Sequence, residues 1–174
     1  MRLVLSALLL LAGACAQLGT KAPQDVEFEL AGRLAARYGN DAFSGYLAWR
    51  HARTSDEMLI TSALGAGVAQ IERDGDSVVL KTAEGREYRA ADAETLTEEV
   101  LGFRLPLAGL ADWVRSRPSD PQTARIEYDK EGRVHTLQER GWAIEYLEYE
   151  DKLPKRMRLT YPNIELRLSI SQWK

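Results

Sequence analysis

The chain has 174 residues, of which 45% are hydrophobic and 28% charged, and a formal net charge of −3 at pH 7. The length favours one domain, and the mildly acidic balance argues against a nucleic-acid-binding protein, which needs a basic surface. The single cysteine, Cys15, excludes an internal disulfide.

The first residues of the chain have the organisation of a secretory signal. Arg2 precedes a hydrophobic run from residue 3 to residue 12, which is too short to span a bilayer, and small residues then lead to Cys15. We expect residues 1–14 to be removed and Cys15 to become a lipidated N-terminus, with residues 15–25 as a linker. An ordinary cleaved signal with an incidental cysteine is the alternative.

The residues around Cys15 resemble a bacterial lipobox, with one departure. Gly13 and Ala14 supply the small residues before the cysteine, but Ala12 stands where a leucine is usual. Ala16 follows the cysteine, and resemblance to the sorting rule of enteric bacteria then favours the outer membrane. Several acyl chains, at roughly 0.8 kcal/mol per buried methylene, would hold the protein on a membrane.

From residue 26 onward the chain shows the period of two that is typical of β-strands. Apolar and polar residues alternate from Val26 to Tyr38, GND turns the chain, and the alternation resumes at Phe43. Four shorter strand-like runs follow, separated by turn residues: DEMLITS (56–62), GVAQIER (67–73), SVVLKT (77–82) and EYRA (87–90).

Residues at about 92–116 are expected to form a helical insertion. Asp92 can cap the first turn of a helix that ends near Gly102, and Pro106 suits the first turn of a second helix. Apolar side chains recur at helical spacing in both segments: Leu96, Val100 and Leu101 in the first, and Leu107, Leu110, Ala111 and Val114 in the second.

Strand-like runs resume after the helices. They are ARIEY (124–128), RVHTLQE (133–139), GWAIEYLEYE (141–150), MRLTY (157–161) and a last alternating run that starts at Ile164. Short turns between the runs indicate an antiparallel meander, and the helices are available to cover its apolar face. The pattern therefore predicts that residues 26–174 form one mainly β domain, a curled antiparallel sheet with a helical lid.

The sequence carries little sign of catalysis. His51 and His135 have no neighbouring pattern of cysteine or carboxylate ligands, and the acidic residues mostly alternate outward on strands. The sequence contains no Gly-rich phosphate loop, HExxH or GxSxG. We therefore expect no enzyme, no metal and no cofactor, and an acyl-chain hydrolase is disfavoured.

Large aromatic residues are the unusual feature of the apolar face. They fall at strand or helix positions and comprise Trp49, Trp113, Trp142 and Trp173, with Tyr128, Tyr146, Tyr149 and Tyr161. Such residues fit either an ordinary packed core or a hollow lined with apolar side chains, as in proteins that bind greasy ligands. Composition does not separate the two, although a lid and a lipid anchor favour the hollow.

The reversal SALGAG (62–67) carries a leucine where turns usually carry Gly, Asn, Asp, Pro or Ser. Leu64 lies at the tip of this hairpin, and the pliable glycines Gly65 and Gly67 follow it. One exposed leucine is commonplace, but on a membrane-tethered domain it indicates a hydrophobic probe.

Several segments resemble the family of the outer-membrane lipoprotein receptor LolB. The matching segments are AGRLAARY (31–38), FSGYLAW (43–49), SALG (62–65), DAETL (92–96), LGFRLPLAGLADWVRSRP (101–118), DKEGRV (129–134), GWAIEY (141–146), LPKRMRL (153–159) and a last strand that ends in Trp173. One feature departs from the family: only 12 residues separate Cys15 from Phe28, so the helix usual at this place is missing or reduced to a turn.

The resemblance implies a fold and a function. The fold is an unclosed antiparallel β-barrel with helices over a hydrophobic cavity. Members of the family accept lipoproteins from the soluble periplasmic carrier LolA and insert them into the inner leaflet of the outer membrane, without using a nucleotide. The implied partners are thus a LolA-like carrier, lipoprotein acyl chains and the outer membrane, and we expect a monomer that binds no nucleic acid.

The resemblance also assigns residues. Leu64, with Ala63 and Gly65, matches the protruding loop that assists membrane insertion in this family. The expected cavity residues are large apolar side chains on the strands and helices: Leu47, Trp49, Met58, Ile60, Leu105, Leu110, Trp113, Trp142, Ile144 and Tyr146.

Other functions stay open at the level of sequence. A soluble carrier would share the fold, but a lipidated Cys15 argues against free diffusion. A structural or envelope-assembly lipoprotein would have a solidly packed sheet face, and a general hydrophobic-ligand-binding lipoprotein would share the cavity. A cavity beneath the helices is the feature that separates the first of these from a receptor.

Overall fold

The computed structural model describes residues 25–101 and 105–174, apart from the side chains of Val100, Leu101 and Ala108. The predicted signal, the lipidated Cys15 and the expected loss or reduction of the family's first helix lie outside the described residues. Two helices and a sheet make up the described part. The elements are β1 Val26–Tyr38, β2 Asp41–Ala52, β3 Ser55–Ser62, β4 Gly67–Asp74, β5 Ser77–Thr82, β6 Glu87–Ala90, α1 Ala93–Leu101, α2 Leu107–Trp113, β7 Arg125–Tyr128, β8 Val134–Glu139, β9 Trp142–Glu150, β10 Leu153–Tyr161 and β11 Ile164–Trp173.

The strands form one antiparallel sheet in the order β6-β5-β4-β3-β2-β1-β11-β10-β9-β8-β7. The chain therefore starts in the middle of the sheet and runs outward to β6. It crosses through the two helices to the opposite edge at β7, and returns strand by strand until β11 pairs with β1. Because no pairing joins β6 to β7 within the described residues, the barrel is open at this seam. The predicted unclosed antiparallel barrel with a helical cover is confirmed.

The predicted start of α1 is also confirmed. The Asp92 carboxylate accepts a hydrogen bond from the backbone N–H of Thr95 at 2.7 Å, which satisfies one of the free amides of the first helical turn. The predicted start of β10 is late, since the strand begins at Leu153 and not at Met157. Pro154 obscured the start of the strand, because proline weakens a strand pattern. The register of β10 with β9 also shifts between Pro154 and Arg156.

Two glycines allow the sheet to bend where strands approach closely. Gly32 lies at a register shift between β1 and β11, and a β-carbon there would overlap the carbonyl of Ser169. A β-carbon at Gly45 would overlap the carbonyl of Thr61 and the ring of Phe43. Both positions therefore exclude a side chain for steric reasons.

Replacing Gly45 with alanine is expected to lower the free energy of unfolding by about 1–3 kcal/mol, because the added methyl overpacks a backbone contact. Gly67→Ala is the matched control, since nothing lies within 4 Å of a β-carbon at Gly67; its effect should stay within about 0.5 kcal/mol. Chemical denaturation of both variants checks this. Equal losses would contradict the packing argument.

The end of α2 is fixed to the sheet by a buried carboxylate. Glu139 accepts hydrogen bonds from the Trp113 indole N–H at 2.7 Å, from the N–H and hydroxyl of Ser119 at 2.9 and 2.5 Å, and from the Asp120 N–H at 2.6 Å. Burial raises the pKa of Glu139, but the donors from Ser119, Trp113 and Asp120 outweigh it and hold the pKa below its ordinary value. Glu139 is thus an exception to the expectation that acidic residues mostly face outward.

Candidate apolar cavity and its mouth

A cavity of about 440 Å³ lies between the concave face of the sheet and the α2 segment. Its walls come from both halves of the sheet and are almost entirely apolar. The lining residues are Leu34, Ala36, Tyr38, Asp41, Ala42, Phe43, Leu47, Trp49, Met58, Ile60, Val68, Ala69, Ile71, Leu105, Leu110, Val114, Leu159, Leu166 and Leu168.

The space exists because small residues lie among large ones in the inward-facing rows. Ala36 on β1 pairs with Phe43 on one side and Leu166 on the other, and Ala69 on β4 pairs with Ile60. Gly45 adds no side chain to the row that contains Phe43 and Leu47. Alanine and glycine at these positions leave room that larger residues would fill.

The structure places six of the ten expected cavity residues along this space and four away from it. Leu47, Trp49, Met58, Ile60, Leu105 and Leu110 line the cavity. Trp113, Trp142, Ile144 and Tyr146 do not; they are buried in the packed core instead. There the rings of Trp113 and Trp142 lie 6.1 Å apart, and the Tyr146 hydroxyl donates to the Trp113 carbonyl at 2.8 Å.

Several residues that line the cavity were not predicted from the sequence, although the apolar alternation of their strands indicated a buried face. Leu166 and Leu168 belong to the clear alternation of β11, and Leu34 belongs to that of β1. Strand alternation predicts a face, but only the pairing of β11 with β1 brings these rows to one cavity. The size of the aromatic residues was the weaker guide, because large rings also fill a packed core.

The cavity reaches one end of the barrel, where its lining includes Tyr38 and Asp41 at the β1–β2 turn. The β10–β11 turn adjoins it, since the Gly39 N–H donates to the Asn163 carbonyl at 3.1 Å. The loop between β3 and β4 is at this end too, because Ser62 at the end of β3 pairs with Gly45 near the start of β2. We call this the mouth end, defined by residues 38–43, 62–68 and 161–164.

Leu64 is exposed at the mouth end, with 97% of its surface accessible to solvent. The loop that presents it is closed by a hydrogen bond from the Ser62 N–H to the Ala66 carbonyl at 2.8 Å. Gly65 has a φ of +83°, which favours glycine. Ala63 and Gly65 are exposed beside it, so the leucine packs on nothing and could enter another phase without disturbing the fold.

A buried polar cluster lies on β2, β3 and β4 and includes Trp49, whose ring also lines the cavity. Asp56 accepts hydrogen bonds from the Trp49 indole N–H at 2.9 Å and the Arg73 Nε–H at 2.5 Å, and its Oδ1 lies 2.6 Å from His51 Nδ1. The sequence pattern around His51 did not reveal this carboxylate neighbour. The two-residue turn in HARTSD could have revealed it, because a tight hairpin places His51 opposite Asp56.

The cluster continues to α2 through ion pairs. His51 Nε2 lies 3.9 Å from a Glu27 carboxylate oxygen, and the Arg115 guanidinium bridges Glu27 at 2.8 Å and Asp112 at 3.0 Å. Because every charged member has an opposite charge beside it, we interpret this network as a brace between the strands and the helical cover. His135, by contrast, is an exposed strand residue as expected.

Asp56→Asn is expected to lower the free energy of unfolding by about 2 kcal/mol at neutral pH, because an amide cannot accept from all three donors. Burial raises the pKa of Asp56, but hydrogen bonds from His51, Trp49 and Arg73 outweigh it and hold the pKa below its ordinary value. The contribution of the Asp56 carboxylate to the free energy of unfolding is therefore fully present at pH values above its ordinary pKa of 3.8. This contribution is lost as the pH falls through the lowered pKa of the folded protein. Urea denaturation from pH 6 to pH 3 should show the two proteins converging; a constant difference would contradict this.

Neither a membrane-spanning helix nor a metal site is found in the described part of the chain. No described helix is long and apolar enough to cross a bilayer. Within residues 25–101 and 105–174, no three His, Cys, Asp or Glu side chains are grouped to hold a metal ion.

Comparison with known proteins identifies the family. The family model described as "Outer membrane lipoprotein LolB" matches residues 26–173. A protein of Nitrosomonas europaea named outer-membrane lipoprotein LolB is 39% identical over 153 residues, covering 84% of this chain and 72% of that one.

Two further relatives carry the same name. That of Thiobacillus denitrificans is 37% identical over 146 residues, covering 83% of this chain and 78% of its own. That of Chromobacterium violaceum is 32% identical over 182 residues, covering 99% of this chain and 97% of its own. The chain therefore belongs to the outer-membrane lipoprotein LolB family.

Proposed function

We propose that this protein is a receptor, anchored to the periplasmic face of the outer membrane by a lipid on Cys15, that accepts lipoproteins from a LolA-like carrier. It then inserts them into the inner leaflet of the outer membrane without a nucleotide. The observation that carries the proposal is an apolar cavity of about 440 Å³ that reaches the end of the barrel where Leu64 protrudes. Membership of the LolB family supports it.

The cavity has the size and chemistry for acyl chains. Its volume falls within the roughly 300–1,000 Å³ of pockets that hold small apolar ligands, and leucine, methionine and aromatic side chains dominate its walls. Each methylene moved from water into such a site contributes about 0.8 kcal/mol. About ten buried methylenes would thus contribute about 8 kcal/mol, which corresponds to roughly micromolar affinity.

Transfer in one direction requires only a modest difference between successive sites. A preference of 1.4 kcal/mol for the receptor over the carrier gives about a tenfold bias, and the bilayer must be preferred to both. Differences in buried apolar surface supply this free energy, so no covalent step is needed. The protein binds and releases its cargo, and we propose no enzymatic activity.

Leu64 is proposed to act at the release step. It is fully exposed and lies at the same end as the cavity mouth, so the lipid on Cys15 and this leucine together could bring the mouth to the membrane. Ala63 and Gly65 would let the loop enter lipid without a charge or a bulky polar group. A cavity beneath the helices also favours a receptor over a structural lipoprotein with a solidly packed sheet.

Mixing the domain with a loaded carrier tests this function. The mature chain with Cys15→Ser, which carries no lipid, should strip radiolabelled lipoprotein from a LolA-like carrier, and gel filtration would find the label with the domain as a one-to-one monomeric complex. If all label stays with the carrier, the receptor function is wrong. Fatty-acid labelling of cells separates a receptor from a soluble carrier, since only a lipidated Cys15 takes up label.

A further inference from the structure

The inward-facing row of β2 ends in a charge at the mouth of the cavity. Alternate residues of this strand face the cavity, and the row contains Phe43, Leu47 and Trp49, all of which line it. Asp41, the first member of the row, lines it too and pairs directly with Tyr38 on β1. Cross-strand partners share a face, so the carboxylate and the Tyr38 ring flank the mouth together.

No described side chain neutralises this carboxylate. Among residues 25–101 and 105–174, no Arg or Lys forms an ion pair with Asp41, whereas four strand carboxylates elsewhere in the sheet each have such a partner: Glu29, Glu72, Glu145 and Glu165. Arg37, which precedes Tyr38 on β1, pairs with Ala42 and Glu165 and therefore lies on the opposite face of β1 from Tyr38. The Asp41 carboxylate is exposed to solvent at the mouth end.

We infer that Asp41 is a specificity-determining residue, which admits uncharged acyl esters to the cavity and disfavours amphiphiles with an anionic head next to the acyl chain. This rests on the proposed function, because it assumes that acyl chains enter at this mouth. The ester groups of a lipidated protein carry no charge, whereas a fatty-acid carboxylate or a lipid phosphate would come to rest beside Asp41.

Selection against anionic head groups would keep membrane lipids from competing with the cargo for the cavity. A cavity that opens toward a bilayer faces a large excess of membrane lipids, whose acyl chains would fit it as well as those of the cargo. Apolar walls cannot distinguish these chains, since dispersion and hydrophobic burial do not depend on the head group. A fixed negative charge at the mouth can distinguish lipids by their head groups, because like charges a few ångströms apart repel.

The expected size of the effect follows from Coulomb's law. Two like charges about 5 Å apart, in surroundings between water and the protein surface, change an equilibrium by about tenfold. Exposed charges are screened by salt, and the screening length falls to roughly 3 Å at 1 M. The discrimination should therefore shrink strongly in concentrated salt, whereas a steric effect would not.

The test compares a fluorescent undecanoic acid probe with its methyl ester, each titrated into the full mature chain with Cys15→Ser. Asp41→Asn should tighten binding of the acid about tenfold at low salt and leave binding of the ester unchanged. Asp151→Asn is the matched control, because it removes the same charge at the β9–β10 turn and does not line the cavity. Its acid and ester affinities should equal those of the parent.

The outcomes separate the two proposals. If the ester binds and Asp41→Asn leaves the ratio of acid to ester affinity unchanged, the role of Asp41 is wrong and the cavity function stands. If Asp151→Asn raises acid binding as much as Asp41→Asn, net charge and not position is responsible, and the inference is equally wrong. If neither probe binds any variant, the acyl cavity itself is refuted, and the inference with it.

Discussion

Leu64→Glu is expected to block delivery of lipoprotein into bilayers while leaving uptake from the carrier unchanged. The side chain is 97% exposed and packs on nothing, so the variant should fold with the stability of the parent. Moving a leucine into lipid is favourable by a fraction of a kcal/mol, whereas a carboxylate at shallow depth costs about 2 kcal/mol. We therefore expect insertion into liposomes to fall roughly 30- to 100-fold.

Delivery and uptake must be measured on the same protein. Transfer from a loaded carrier to the domain reports uptake, and flotation of labelled lipoprotein with liposomes reports delivery. Leu147→Glu is the matched control, because Leu147 is also an exposed apolar residue but lies on β9 outside the mouth end; it should leave both steps intact. Loss of folding in Leu64→Glu would show that Leu64 belongs to the core, and unchanged delivery would show that the loop does not enter lipid.

Ala36→Phe is expected to reduce uptake of lipoprotein about 100-fold without unfolding the domain. Ala36 lies on β1, in the wall of the cavity between Phe43 and Leu166, so an added ring would project into existing space. Such a ring would displace about four methylenes of an acyl chain. At about 0.8 kcal/mol each, this costs about 3 kcal/mol of binding, or on the order of 100-fold.

The neighbouring residue provides the control for this change. Ala35 lies on the opposite face of β1 and pairs with Ser44 and Arg167, so Ala35→Phe places the same ring outside the barrel. Its uptake should match that of the parent protein in a titration with a fluorescent acyl probe. Equal uptake by Ala36→Phe and Ala35→Phe would mean that acyl chains bind elsewhere.

The fold could be predicted from the sequence because local patterns agreed with the tertiary structure. The alternation in β1 and β11 marks a buried face, and Asp92 marks the start of α1 through a hydrogen bond that the structure contains. The pairing of β11 with β1 was not predictable in the same way. It joins residues far apart in the chain, such as Leu34 and Leu168, and no local signal specifies such contacts.

The cavity could be predicted only in part. Met58 and Ile60 line it, but Trp142 and Ile144 sit in the packed core, because alternation gives the face of a strand and not the position of a void. The void depends on small residues such as Ala36. Buried carboxylates such as Asp56 were missed for a related reason: a charge on a strand normally faces water, and only three converging donors make its burial favourable.

Photo-cross-linking of a bound acyl chain tests the central claim most directly. A lipoprotein with a diazirine in one acyl chain would be transferred to the soluble domain and irradiated, and the modified peptides identified by mass spectrometry. We predict adducts on cavity residues of β3 and β11, such as Met58, Ile60 and Leu168. Adducts confined to exposed residues of the outer face, such as Leu59 and Leu147, would contradict the account, because the cargo would then bind the surface of the barrel and not its interior.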